Sequence, residues 1–70
     1  MKIVFTAHAE QRTEKRKLLR QEIIDAIKYP DRILKKYGKY YFQKKLDRGT
    51  VEVCCVKTES DIRIITVWWN

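Results

Sequence analysis

The chain has one proline, two glycines, one histidine and two cysteines in 70 residues. So few breakers exclude a flexible linker or a low-complexity tract and leave long stretches free for regular structure. The two cysteines, Cys54 and Cys55, are adjacent. On a strand, neighbouring side chains leave opposite faces and do not easily bridge, so no disulfide framework is expected. One thiol is expected in the core as a small apolar group, with the other incidental. Only His8 remains to join them as a metal ligand, so neither a metal nor a cofactor is expected. Long apolar runs are missing too. None reaches membrane-helix length, and Met1-Lys2 leads into only a few apolar residues before charges begin, unlike a secretion signal. These absences predict a soluble, cytoplasmic protein with no membrane partner.

Acidic residues are outnumbered. Sixteen Lys and Arg against nine Asp and Glu leave +7 on the chain, with a pI near 9.7. That balance attracts polyanions, nucleic acid first among them, and acidic proteins second. A membrane surface is the competitor, but the basic segment 12–20 has too few apolar residues for an interfacial helix. The length makes residues 1–70 a single domain, and the 44% hydrophobic content suffices for a compact core. A domain this small buries only about 60% of its unfolded surface, so its stability margin is thin.

Along the chain, Lys2 to Thr6 is β-branched and aromatic and reads as a first strand. Ala7 to Lys17 and Leu18 to Tyr29 read as helices, the second with Leu19, Ile23, Ala26 and Ile27 on one face and Pro30 as its stop. A bend near Lys17 and one continuous helix are both open at this point. Arg32–Lys36, Lys39–Leu46, Thr50–Lys57 and Ile62–Trp69 read as strands separated by polar or Gly-containing turns. The last is apolar on both faces and therefore central. The expected fold is α+β, a short first strand followed by two helices packed on one face of an antiparallel sheet of about four strands.

His8, Arg12 and Arg16 recur every four residues, with Lys15 beside them. Four residues advance a helix by about 400°, so these side chains form one slowly drifting stripe. An imidazole between guanidinium groups suits RNA cleavage. It exchanges a proton with the ribose 2′-hydroxyl or the leaving 5′-oxygen, and the arginines neutralise charge growing on the phosphate. Against this stands the plain reading of charged residues at helical spacing, a solvated face. Lys39 to Lys45 interleaves lysines with Tyr40, Tyr41 and Phe42. Alternation puts Tyr40, Phe42 and Leu46 on the core side and leaves Tyr41 and Lys45 as candidate RNA contacts. Trp68 and Trp69 are expected to pack rather than stack bases, and Thr66 either bonds within its sheet or meets a phosphate or His8.

The run His8-Ala9-Glu10-Gln11-Arg12, then Arg16, Leu18, Ile23, Ile27 and Pro30, with Ile64-Ile65-Thr66-Val67-Trp68 at the end, resembles a prokaryotic family of small uncharacterised domains. The resemblance covers nearly the whole chain and implies kinship to the Barnase–EndoU–colicin–RelE group of ribonuclease-like folds, many of them toxins of toxin–antitoxin modules. It implies a RelE-like architecture and a polar signature on His8, Arg12, Arg16 and Thr66. Lys17 stands where the family often has Gly, which implies a less sharp bend. Trp68 stands where Tyr is common, which removes a phenolic acid. The leading expectation is a metal-independent endoribonuclease with catalytic His8, Arg12, Arg16 and Thr66, and with Lys15, Lys17, Tyr41 and Lys45 holding RNA, free or on the ribosome. An acidic antitoxin protein is the second expected partner. The alternatives are a non-catalytic module that binds RNA or an acidic protein, and a degenerate toxin relative kept only as an interaction partner.

Overall fold

A computed structural model describes residues 2–70. Its elements are β1 (Lys2–Phe5), α1 (Ala7–Lys15), α2 (Arg20–Lys28), β2 (Arg32–Lys36), β3 (Lys39–Leu46), β4 (Gly49–Lys57) and β5 (Asp61–Trp69). The α+β class and the order of elements are as the sequence predicts, but both helices are shorter, α1 ending at Lys15 rather than Lys17 and α2 starting at Arg20 rather than Leu18. The sheet differs: it has five strands in the order β1-β5-β4-β3-β2, and it is mixed. The three later junctions are antiparallel, but β1 pairs parallel with β5, Ile3 beside Ile62 and Phe5 beside Ile64. Two helices separate β1 from the meander, so the chain returns beside it running in the same direction, which no hairpin achieves. The expected sheet of about four antiparallel strands is thus extended by the first strand.

Alternation sets the faces. Val51, Val53 and Cys55 of β4, Ile64 and Val67 of β5 and Phe42 of β3 are buried in one cluster with Ala9, Ile23 and Ala26 of the helices. Tyr40 and Leu46 pack on that cluster, as alternation requires. Ile65 has no partner in the β4–β5 register, a bulge that keeps Ile64 and Val67 on the same face. Leu19 corrects the predicted helical face. It lies just before α2, 66% exposed, while Leu18 occupies the core.

Each helix start is tied down. The Thr6 hydroxyl accepts from the Ala9 N–H at 3.1 Å and donates to the Ile64 carbonyl at 2.7 Å, fixing the head of α1 against β5. Between the helices, Lys17 adopts φ +57°. The Leu18 N–H reaches back to the Thr13 carbonyl and the Lys17 N–H to that of Glu14. This is the left-handed helix cap that glycine favours, so the bend forms although lysine occupies the position. Holding a side chain there costs roughly 1–2 kcal/mol. Lys17→Gly is therefore expected to raise unfolding stability by about 1 kcal/mol, the gain reduced by glycine's greater unfolded freedom. Urea titration measures it; a loss of stability would show that the lysine side chain contributes more than its backbone strain costs.

Candidate nucleic-acid interface

His8 lies in the first turn of α1 and is exposed. The buried Ala9 and Thr13 point that helix at the sheet, which leaves His8 and Arg12 on its flank. Arg12 donates from Nε to His8 Nε2 at 3.4 Å, the contact expected four residues apart. In that arrangement Nε2 is an acceptor, so the ring proton belongs on Nδ1. Glu10, on the other flank, is engaged by Arg20 at 2.9 Å, and Arg20 also stacks over Phe5 with Cζ 3.9 Å from the ring centroid. The helix thus separates its charges, the acid toward α2 and the imidazole–guanidinium pair away from it.

The remaining stripe is looser. Lys15, Arg16 and Lys17 are all exposed. Arg16 caps the end of α1, and its carbonyl receives the Trp69 indole N–H at 3.0 Å, locking the helix end to the end of β5. Arg12 and Lys15 share an open depression with Gln11 and Glu14.

Thr66 and Tyr41 belong to the other face of the sheet, which the helices leave uncovered. In register, Tyr41, Cys54 and Thr66 form one row across β3, β4 and β5. Tyr41 meets Trp68 edge-on, ring centroids 6.3 Å apart, and Lys45 follows on the same side of β3. Among the described residues no hydrogen bond joins Thr66 to His8, Arg12 or Arg16. The predicted set therefore divides between the α1 flank and the open sheet face. Trp69 packs on the core as expected, whereas Trp68 lies with Tyr41.

Both cysteines are buried, Cys55 in the core and Cys54 only 4% exposed on the opposite face, so neither is incidental. Burial pushes the Cys55 thiol up to about 12 and raises that of Cys54, which leaves both as protonated packing groups. Desolvation, then the neighbouring Cys54, likewise raises the Tyr41 phenol, keeping it a hydroxyl donor. Among the described residues no three His, Cys, Asp or Glu converge as a metal set. No described helix is long and apolar enough to cross a membrane.

Two groups escaped the sequence reading. Glu52 is buried on the open face, where Gln43 donates to it at 2.7 Å. Its signal was the alternation Val51-Glu52-Val53, which marks a second, more polar face. Arg48, in the β3–β4 turn, donates to Glu22 and, at 3.0 Å, to the Lys17 carbonyl. Nothing local announces that contact, because 26 residues separate the partners. Arg48 first, then the Leu19 N–H at 2.8 Å, holds the Glu22 carboxyl below its ordinary value of 4.5.

A depressed carboxyl stabilises the fold above its unfolded pKa and loses that contribution as pH falls through its folded value. Wild type is thus expected to exceed Glu22→Gln in stability at neutral pH. The gap closes as the solution is acidified from about pH 4.5 downward. Thermal melts across that range provide the check, and a gap independent of pH would remove the charge from the explanation.

Searches of curated proteins and of solved structures give no significant match. One family model does match, and it covers residues 5–69, from the end of β1 to the end of β5, and so takes in both candidate surfaces. The chain belongs to the family described as Domain of unknown function (DUF4258).

Proposed function

We propose that this domain is a toxin-type endoribonuclease that cuts RNA without a metal, on a RelE-like fold akin to the Barnase–EndoU–colicin–RelE group. The observation that carries the reading is the exposed His8 ring with the Arg12 guanidinium at 3.4 Å. The ribose 2′-oxygen attacks the adjacent phosphorus, and the P–O5′ bond breaks. Arg12 turns from Nε2 to the phosphate, His8 takes the 2′-hydroxyl proton on the Nε2 lone pair so freed, and the leaving oxygen receives a proton from water or from a ribosomal group. Arg12, with Arg16, Lys15 and Lys17 beyond it, offsets the charge that builds on the phosphate oxygens. Glu10 and Glu22 are engaged by Arg20 and Arg48, whereas the exposed His8 ring is held by no carboxylate among the described residues. Thr66, on the opposite face of the sheet beside Cys54 and Tyr41, takes no part in this step and would meet only a more distant stretch of the RNA. The setting is cytoplasmic, with an acidic antitoxin as protein partner.

The test is incubation of the purified protein with total RNA in EDTA. The reading expects fragments ending in 2′,3′-cyclic phosphate and beginning with 5′-hydroxyl; RNA left intact, with or without ribosomes, contradicts it.

A second reading is a non-catalytic RNA-binding module of the same fold. The Tyr41–Trp68 pair favours it, because aromatic rings on an uncovered sheet beside Lys45 stack bases while lysines hold phosphates. It expects affinity that falls steeply with salt and persists in His8→Ala.

A further inference from the structure

The sheet ends at β2, and this edge has features that single out one kind of occupant. Tyr37 and Gly38 both have positive φ, +52° and +75°, a two-residue hairpin turn that makes Lys36 and Lys39 a hydrogen-bonded pair. Counting back two at a time, Leu34 and Arg32 also face β3 with their backbone groups. The N–H and C=O groups of Ile33 and Lys35 therefore point outward, away from the sheet. The side chains along this edge are largely unspent as well, apart from Lys35, whose Nζ lies 5.3 Å from the Tyr40 ring centroid. Ile33 is 52% exposed, and Tyr29, at the end of α2, is 67% exposed. Arg32, Lys35 and Lys36 are exposed, and none takes part in the ion pairs found among the described residues.

We infer that β2 is a docking edge for an extended acidic peptide segment, which adds to the sheet as a sixth strand. Outward backbone groups supply the ladder, and the strand's alternating side chains select the sequence. Charge decides the occupant. A second copy of the chain would bring its own Arg32, Lys35 and Lys36 against these, and like charges facing across a strand pair are destabilising. Antiparallel to β2, the complementary order is two acids opposite Lys36 and Lys35, two apolar residues opposite Leu34 and Ile33, and an acid opposite Arg32. The edge is separate from His8, and the inference does not require that the domain cut RNA.

Fluorescence anisotropy with a labelled peptide containing Glu-Glu-Val-Ile-Glu tests it. Saturable binding is expected, weakened about tenfold or more by Lys35→Pro and only about two- to threefold by Lys35→Ala. Proline removes an outward N–H that the hairpin does not use, whereas alanine removes only the charge. Ile33→Asp is expected to weaken binding at least as much as Lys35→Pro. Should Lys35→Pro fail to fold by circular dichroism, a peptide N-methylated on its sheet-facing amides replaces it, with the same expected loss. No saturable binding, equal loss with proline and alanine, or equal affinity for a scrambled peptide of the same composition would overturn the proposal. So would light scattering that shows a dimer broken by Lys35→Pro, since the occupant would then be a second copy. Displacement of the peptide by tyrosine-free polyanions at equal affinity would assign the edge to general charge and overturn it as well.

Discussion

His8→Ala is expected to slow RNA cleavage by about 10²–10⁴-fold, the usual contribution of a positioned proton carrier. The same substitution is expected to leave thermal unfolding within about 0.5 kcal/mol of wild type, because the ring is exposed and fills no core space. Both halves matter. A variant that lost activity by unfolding would say nothing about chemistry, and the exposure of the His8 side chain protects against that outcome. Binding is expected to persist, since Arg12, Lys15, Arg16 and Lys17 retain their charge and the phosphate contacts depend on it. Single-turnover rates with enzyme in excess separate the two, and His8→Ala cutting at the wild-type rate would remove the proton-transfer role.

Ile64→Ala is expected to act in the opposite way, through the fold. Ile64 is fully buried on β5, between Phe5 of β1 and Cys55 of β4, and its carbonyl receives the Thr6 hydroxyl that fixes α1. Truncating a buried isoleucine to alanine costs about 2–5 kcal/mol, in lost burial and in the cavity left behind. A domain of this length has only about 4–10 kcal/mol in total. The variant is therefore expected to be substantially unfolded at 37 °C, or to reach its urea midpoint far earlier. Ile64→Val, which removes one methylene, is expected to lose about 0.5–1.5 kcal/mol and remain folded. Equal stability of Ile64→Ala and wild type would mean that the core does not centre on β5.

The contrast between these two positions reflects what the sequence made legible. Local signals sufficed wherever a single element determined the outcome. Pro30 stopped α2, the aromatic alternation from Lys39 to Leu46 sorted Phe42 inward and Tyr41 outward, and the four-residue spacing brought Arg12 to His8. Where distant segments meet, the sequence was silent. The parallel pairing of β1 with β5 depends on the route of the chain, and no pattern within Lys2–Phe5 names its partner. The Arg48 bond to Glu22 is of the same kind. Leu18 and Leu19 exchanged roles because the left-handed residue at Lys17 resets the phase of the second helix, which a continuous periodicity does not anticipate. The candidate site was legible on α1 only. That Thr66 shares a face with Tyr41 and Cys54 follows from sheet register, which depends on a bulge at Ile65.

The central claim is that a phosphodiester is received on the flank of α1, between one imidazole and one guanidinium. As the chain's sole histidine, His8 has unambiguous ring resonances, and NMR titration with an uncleavable 2′-O-methyl RNA observes the encounter directly. Shifts of the His8 ring protons and of the Arg12 Nε–H, saturating together, are the predicted result. A spectrum in which Tyr41 and Trp68 respond while the imidazole stays unmoved would contradict the claim and leave the open sheet face as the binding surface.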